Sequence, residues 1–257
     1  MLVSGGKSIY GARIGILMLE AQFPRIPGDM GNAETWPFPV LYKIVRGATP
    51  DRVVRKNAEG TLDRFIARKS NDGAVTITQD SSAPSGFANS LKLACTTADT
   101  SIGAAELVTL SQIIEGQNAQ TFAKGTSSAK PYAVSFYVKG NASATYVCEL
   151  FDGDNSRHVA KTFSVTTDWT RVELSFPADT TGAFDDDANA SLYLQIFLHA
   201  GSNFSSGTLP ATWASKTNAN RAAGGSSFFD STDRTFFITG VQLEVGQNAT
   251  EFEHEPF

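Results

Sequence analysis

From Thr61 onward, apolar and polar residues alternate with a period of two, the mark of strands that bury one face. The runs Ala74–Gln79, Ser90–Thr96 and Val108–Ile114 carry it first. "PYAVSFYVKG" puts Val134, Phe136 and Val138 on one face, and "ATYVCELFDG" does the same with Tyr146, Cys148 and Leu150. "HVAKTFSV" and "DWTRVELSFP" follow. "SLYLQIFLHA" is apolar on both faces, which predicts a central strand covered on both sides. "RTFFITGVQLEVG" predicts a last strand with Phe237, Thr239, Val241, Leu243 and Val245 on one side. "NDG", "KGNAS", "DGDN", "TTD" and "PADTTG" separate the runs as turn signals. Many short strands with turns between them predict an all-β fold, an antiparallel β-sandwich of jelly-roll type. Two connections break the spacing, Ala178 to Ala190 and Gly201 to Ser231. Long loops on a rigid sandwich are where function usually sits.

The first sixty residues read differently. They hold 8 Lys+Arg, 5 Asp+Glu and half of the ten prolines, leaving 13 basic and 21 acidic residues for the rest. This shift divides the chain near Gly60 into an N-terminal segment, 1–60, and a sandwich, 61–257. Ile14–Leu19 and residues 38–46 are strand candidates, with Pro39 pushing the second to an edge or a strand start. "TPDRVVRKNAEG" suits a turn of helix capped by Thr49, with Pro50 at its first position. Sixty residues of this composition bury too little to fold alone, so the segment is expected to be non-autonomous.

The net charge of −5 argues against nucleic acid as a partner, since phosphates call for a basic face. No run is long enough to span a membrane, and no leader peptide is expected. Cys95 and Cys148 lie in strand runs and read as buried free thiols rather than a disulfide. Neither has the helix N-terminus or neighbouring His that would activate it, so no catalytic residue is assigned.

Candidate binding chemistry sits in the loops. "FDGDNSRH" offers Asp152, Asp154 and Asn155 either to a structural Ca²⁺ or to a hairpin turn. "FDDDANA" has the same ambiguity. Sugars stack on exposed aromatic rings, while amides and charged groups take their hydroxyls. Trp213 in the long loop, with Phe204, Asn218, Asn220 and Arg221 nearby, is the carbohydrate-binding candidate. The alternative is a Trp that plugs one end of the sandwich. The three histidines show no metal-ligand spacing. No other cofactor is implied.

Two resemblances add to this. "PSGFANSLKLACTTADTS", "IEGQNAQTFAKGTSSAKPYAVSFYVKG" and "VQLEVGQNATEFEHEPF" make residues 61–257 similar to a jelly-roll domain of phage and prophage virion proteins, tail-fibre-like and akin to carbohydrate-binding modules. That resemblance implies a non-enzymatic structural or adhesive virion protein. It would attach to a host-surface glycan, associate with other virion proteins and assemble with itself, a trimer being the first expectation. "GARIGILMLEAQFPRIPGDMGNAETWPFPVLYKIVRGATPDRVV" is similar to the start of aspartate/glutamate racemase-like proteins, whose catalytic thiols come later in their fold. Nothing after Gly60 continues that fold, so the segment is expected to serve attachment or assembly. A rewired racemase, a glycoside hydrolase and a pure scaffold stand as alternatives.

Overall fold

The computed structural model describes residues 42–44, 51–52 and 65–252. Among them the alternating runs become strands of two antiparallel sheets. One sheet has six strands, in the order β1 (Tyr42–Ile44), β4 (Ala74–Asp80), β5 (Ser90–Thr97), β13 (Thr235–Val245), β7 (Tyr132–Gly140) and β10 (Thr170–Phe176). The other has seven, in the order β12 (Ala214–Ser215), β9 (Arg157–Val165), β8 (Ala144–Asp152), β11 (Ala190–Ala200), β6 (Leu107–Glu115), β3 (Phe65–Lys69) and β2 (Asp51–Arg52). Two single-turn helices interrupt them, α1 (Gly116–Ala119) and α2 (Ser202–Ser205).

The sheets face each other over one apolar core. Val134, Phe136 and Val138 of β7 meet Tyr146, Cys148 and Leu150 of β8 there, as the alternation predicts. Phe122 stacks on Tyr132 at 4.0 Å between ring centres, and Phe136 meets Phe163 edge-on. Each such buried aromatic or aliphatic side chain contributes about 1.5–3 kcal/mol. Strand β11 is the centre of its sheet. Leu192, Leu194, Ile196 and Leu198 face the core, while the intervening residues face outward. Cys95 and Cys148 are buried free thiols.

Two expectations are corrected, and one further strand appears. In β13 the register against β7 shifts between Thr239 and Gln242. Gly240 sits there at φ +60°, and a Cβ on it would come 2.7 Å from the Phe87 ring. An inserted residue moves later side chains to the other face. The core therefore takes Phe236 and Ile238 before the bulge and Val241 and Leu243 after it, whereas Phe237 packs outside against Trp169. Strand β3 begins at Phe65, in a stretch whose alternation is too short to stand out. At Asp51–Arg52, where a helical turn was expected, the chain pairs as β2 with Arg68 and Lys69. Strands β1 and β2 thus add to the two sheets from before Gly60. Ile14–Leu19 and most of the racemase-like stretch lie outside the described residues.

Candidate functional site

The outer face of the seven-stranded sheet carries the site. Antiparallel register places side chains in rows across it. One row runs Ile113, Tyr193, Phe151 and His158. The next runs Ile66, Ser111, Gln195, Glu149 and Ala160. The third runs Arg68, Thr109, Phe197 and Val147. This face explains why β11 looks apolar on both sides. The connection after Gly201 folds back over it, and Ala222 and Leu209 pack on Val147, Ala160 and Phe197. That lid covers only part of the face. Beside it lies an open cleft of about 210 Å³, lined by Arg68, Thr109, Phe151, Tyr193, Gln195 and Arg221, among others.

Arg221 joins the lid to the floor. Its guanidinium reaches Glu149 at 2.6–3.2 Å and donates to the Gln195 side-chain carbonyl at 2.5 Å. The Gln195 amide donates in turn to Ser111 Oγ at 3.0 Å. Glu149 is fully buried and also meets His158 Nδ1 at 2.8 Å. A buried carboxylate is tolerated when it is paired and hydrogen-bonded, and this fork geometry achieves both. The guanidinium lies 5.4 Å from the Phe151 ring centre and 5.2 Å from that of Phe197, so cation–π attraction also orients it. Its Nη1 makes no hydrogen bond among the described residues.

Phe151 and Tyr193 form a tilted pair, 5.5 Å between centres, and both are half-buried. Lys216 reaches over Phe151 at 5.2 Å. Tyr193 has no cation over its ring among the described residues. Its edge rests on Gly153, where a Cβ would come 2.9 Å from Cε2. The cleft therefore offers an aromatic platform, a fixed amide and a fixed guanidinium. Among the described residues, no cysteine lines it. The thiols lie elsewhere, and burial pushes both Cys95 and Cys148 above the usual thiol range.

The loop residues expected to bind sugar divide. Arg221 lies in the cleft. Asn218 and Asn220 form the turn that presents it. The Asn218 carbonyl accepts from the Arg221 N–H at 3.2 Å, and Asn220 Oδ1 accepts from the Thr208 N–H at 3.0 Å. Phe204 braces the same turn, its carbonyl accepting from the Ala222 N–H at 2.8 Å. Trp213 takes the alternative role of a plug. It is 7% exposed, packs against Tyr132, sits under Lys124 and donates from Nε1 to the Pro177 carbonyl at 2.9 Å. A ring so enclosed presents no face to a sugar. Phe151, Tyr193 and Gln195 are the cleft residues that the loop-based reading misses. The available signal was a polar residue inside each of two apolar strands, Glu149 in "YVCELF" and Gln195 in "SLYLQIF".

Asp152, Asp154 and Asn155 share one turn, and a lysine holds Asp152. Lys124 Nζ lies 2.5 Å from Asp152 and 3.1 Å from Asp179, with all three residues buried. Asn155 donates to both Asp152 oxygens, and Asp154 accepts from the Asp185 N–H. Arg157 closes the network on Asp179 at 2.7 Å. An ammonium thus occupies the position that a cation would take at Asp152. Another grouping was invisible in the sequence. Asp99, Glu106 and His199 bring their ligand atoms within 4.8 Å of one another. His199 lies between Ser227 at 2.8 Å and Glu106 at 3.1 Å, so its two ring nitrogens are already hydrogen-bonded.

No family model matches the chain, and no curated protein does. Among solved structures, it resembles a CBM4 module at 14% identity, covering 70% of this chain and 77% of that one, with a TM-score of 0.34. It resembles the family 11 carbohydrate-binding module of the Clostridium thermocellum cellulase Lic26A-Cel5E at 13% identity, covering 80% and 100%, with a TM-score of 0.37. It also resembles the CBM22-1 xylan-binding domain of Paenibacillus barcinonensis Xyn10C at 13% identity, covering 79% and 100%, with a TM-score of 0.37. None of these likenesses carries weight for function; the cleft's own residues do.

Proposed function

We propose that this protein is a non-enzymatic carbohydrate-binding sandwich whose site is the cleft on the outer face of the seven-stranded sheet. The observation that carries the reading is the half-buried Phe151–Tyr193 pair beside the fixed Gln195–Arg221 floor. A pyranose has an apolar C–H face for the ring and hydroxyls for planar amide and guanidinium groups. Floor groups already locked by Glu149 and Ser111 lose little freedom on binding, which favours a small, rigid site.

The setting we propose is a phage-type virion, in a tail-fibre or surface-decorating role. The resemblance of residues 61–257 to virion jelly rolls supports it, and residues 1–60 would act as an attachment arm. A homotrimer would multiply a weak single site by avidity. No described helix is long and apolar enough to cross a membrane.

A glycan array probed with the wild-type chain and with Tyr193→Ala tests this. The wild type is expected to retain a set of glycans that the variant loses. An array on which the wild type binds nothing leaves the scaffold reading in its place.

A further inference from the structure

The charges around the cleft are one-sided. Among the described residues, Arg68, Lys216 and Arg221 line it and no carboxylate does. Glu149 lies beneath, fully buried, with its oxygens committed to Arg221 and His158; it balances Arg221 and leaves Arg68 and Lys216 as the uncompensated charges. Arg68 and Lys216 are exposed and form no ion pair among the described residues. This basic patch belongs to a chain whose net charge is −5. A cleft whose sign opposes that of the whole protein concentrates ligands of the opposite charge.

The positions of the cations narrow the ligand. Arg68 stands on β3, and Phe151, which Lys216 overhangs, stands on β8. Strands β6 and β11 lie between them, and Arg68 is level with Phe197, four residues along β11 from the Tyr193–Phe151 row, so the two cations sit at opposite corners of the cleft, roughly 19 Å apart along the diagonal. Arg221, between them, keeps Nη1 open. Guanidinium forks match carboxylates in plane, and a lysine at the rim serves as a point charge.

On the carbohydrate reading above, we infer that the cleft selects a carboxylated polysaccharide: a chain of uronate or sialate units, with acid groups on successive sugars reaching Arg68 on one side and Lys216 and Arg221 on the other. The ring face of one sugar rests on Tyr193, and other units of the same chain supply the charges. Rim charges of this kind govern salt dependence and choice of partner more than they govern fold.

The test uses the full chain and three acidic oligosaccharides, an oligogalacturonate, an oligoalginate and an oligosialate. Each is titrated beside its counterpart whose carboxylates have been reduced to alcohols. At least one acidic member is expected to bind about tenfold or more tighter than its reduced form. Its affinity should fall as salt rises, because exposed charges are screened. The double variant Arg68→Gln/Lys216→Gln should erase most of that preference. Both side chains are exposed, so its melting temperature should stay unchanged.

Equal binding of acidic and reduced forms overturns the charge selection and leaves carbohydrate binding standing, provided that Tyr193→Ala abolishes it. An acid preference that survives in the double variant overturns the assignment to Arg68 and Lys216. Binding of none of the six, together with an empty glycan array, overturns both.

Discussion

Two networks of ions hold this molecule's loops, one at an end of the sandwich and one on its outer face. At the end, Lys124, Asp152, Asp179 and Arg157 close on one another, with Trp213 and Phe184 packed around Lys124. On the face, Arg221 closes on Glu149 and Gln195, but one side of it opens into the cleft. The chemistry is the same in both: a cation, buried carboxylates and aromatic rings. What separates a structural network from a binding one is whether space remains above it. The first locks the 177–184 loop to the sandwich. The second, on the proposed reading, fixes donors in advance for a ligand.

The sharpest way to break this comparison is at Lys124. Lys124→Met leaves Asp152 and Asp179 buried without their shared cation. It should cost about 3–5 kcal/mol of unfolding free energy in a urea titration. The folded fraction should bind glycan as before; a selective loss of binding would join the two networks that the structure separates. Trp213→Ala should act on the same side, at about 3–5 kcal/mol of stability, with the ligand affinity of the folded protein unchanged.

Tyr193→Ala should do the reverse. Affinity is expected to fall about tenfold or more, near 1.4 kcal/mol, while the melting temperature moves little, because the ring is half-buried. Equal losses of stability and binding would make Tyr193 a packing residue rather than a platform.

Acid separates the networks more gently. Burial raises the Asp179 pKa, but hydrogen bonds from Arg157, the Thr181 N–H and Lys124 outweigh it and hold the carboxyl below its ordinary 3.8. A depressed folded value means stability that is present above pH 3.8 and is lost as pH falls through the folded pKa. Unfolding free energy measured from pH 5 downward should therefore drop below about pH 3.8, and Asp179→Asn should flatten that part of the curve. The smallest effect is expected at Gly153. Gly153→Ala places a methyl 2.9 Å from Tyr193 Cε2 and should weaken binding a few-fold by tilting the ring, with calorimetric titration as the readout.

The same contrast governs what the sequence made legible. Strands such as β7 and β8 follow from alternation, because facing one core is a local property of every second residue. Strand β13 follows only up to Gly240, since a bulge flips the face without changing the composition. The cleft was harder. Trp213 and Arg221 sit eight positions apart in one polar loop, yet one ring enters the core and the other side chain spans the outer face. Nothing local distinguishes them. Asp152 reads as a turn former or a metal ligand until Lys124, far away in the chain, is brought against it. Tyr193 and Phe151 were hidden by the core residues with which they alternate.

On this reading the ligand sits in the cleft and not at the Trp213 end. The most direct measurement is a backbone-amide NMR titration of the full chain with the strongest glycan from the array. Shifts should cluster at Thr109, Phe151, Tyr193, Gln195 and Arg221, with the amides around Trp213 and Asp179 unmoved. Shifts centred on Trp213 and the 177–184 loop, with Tyr193 and Gln195 silent, would contradict it.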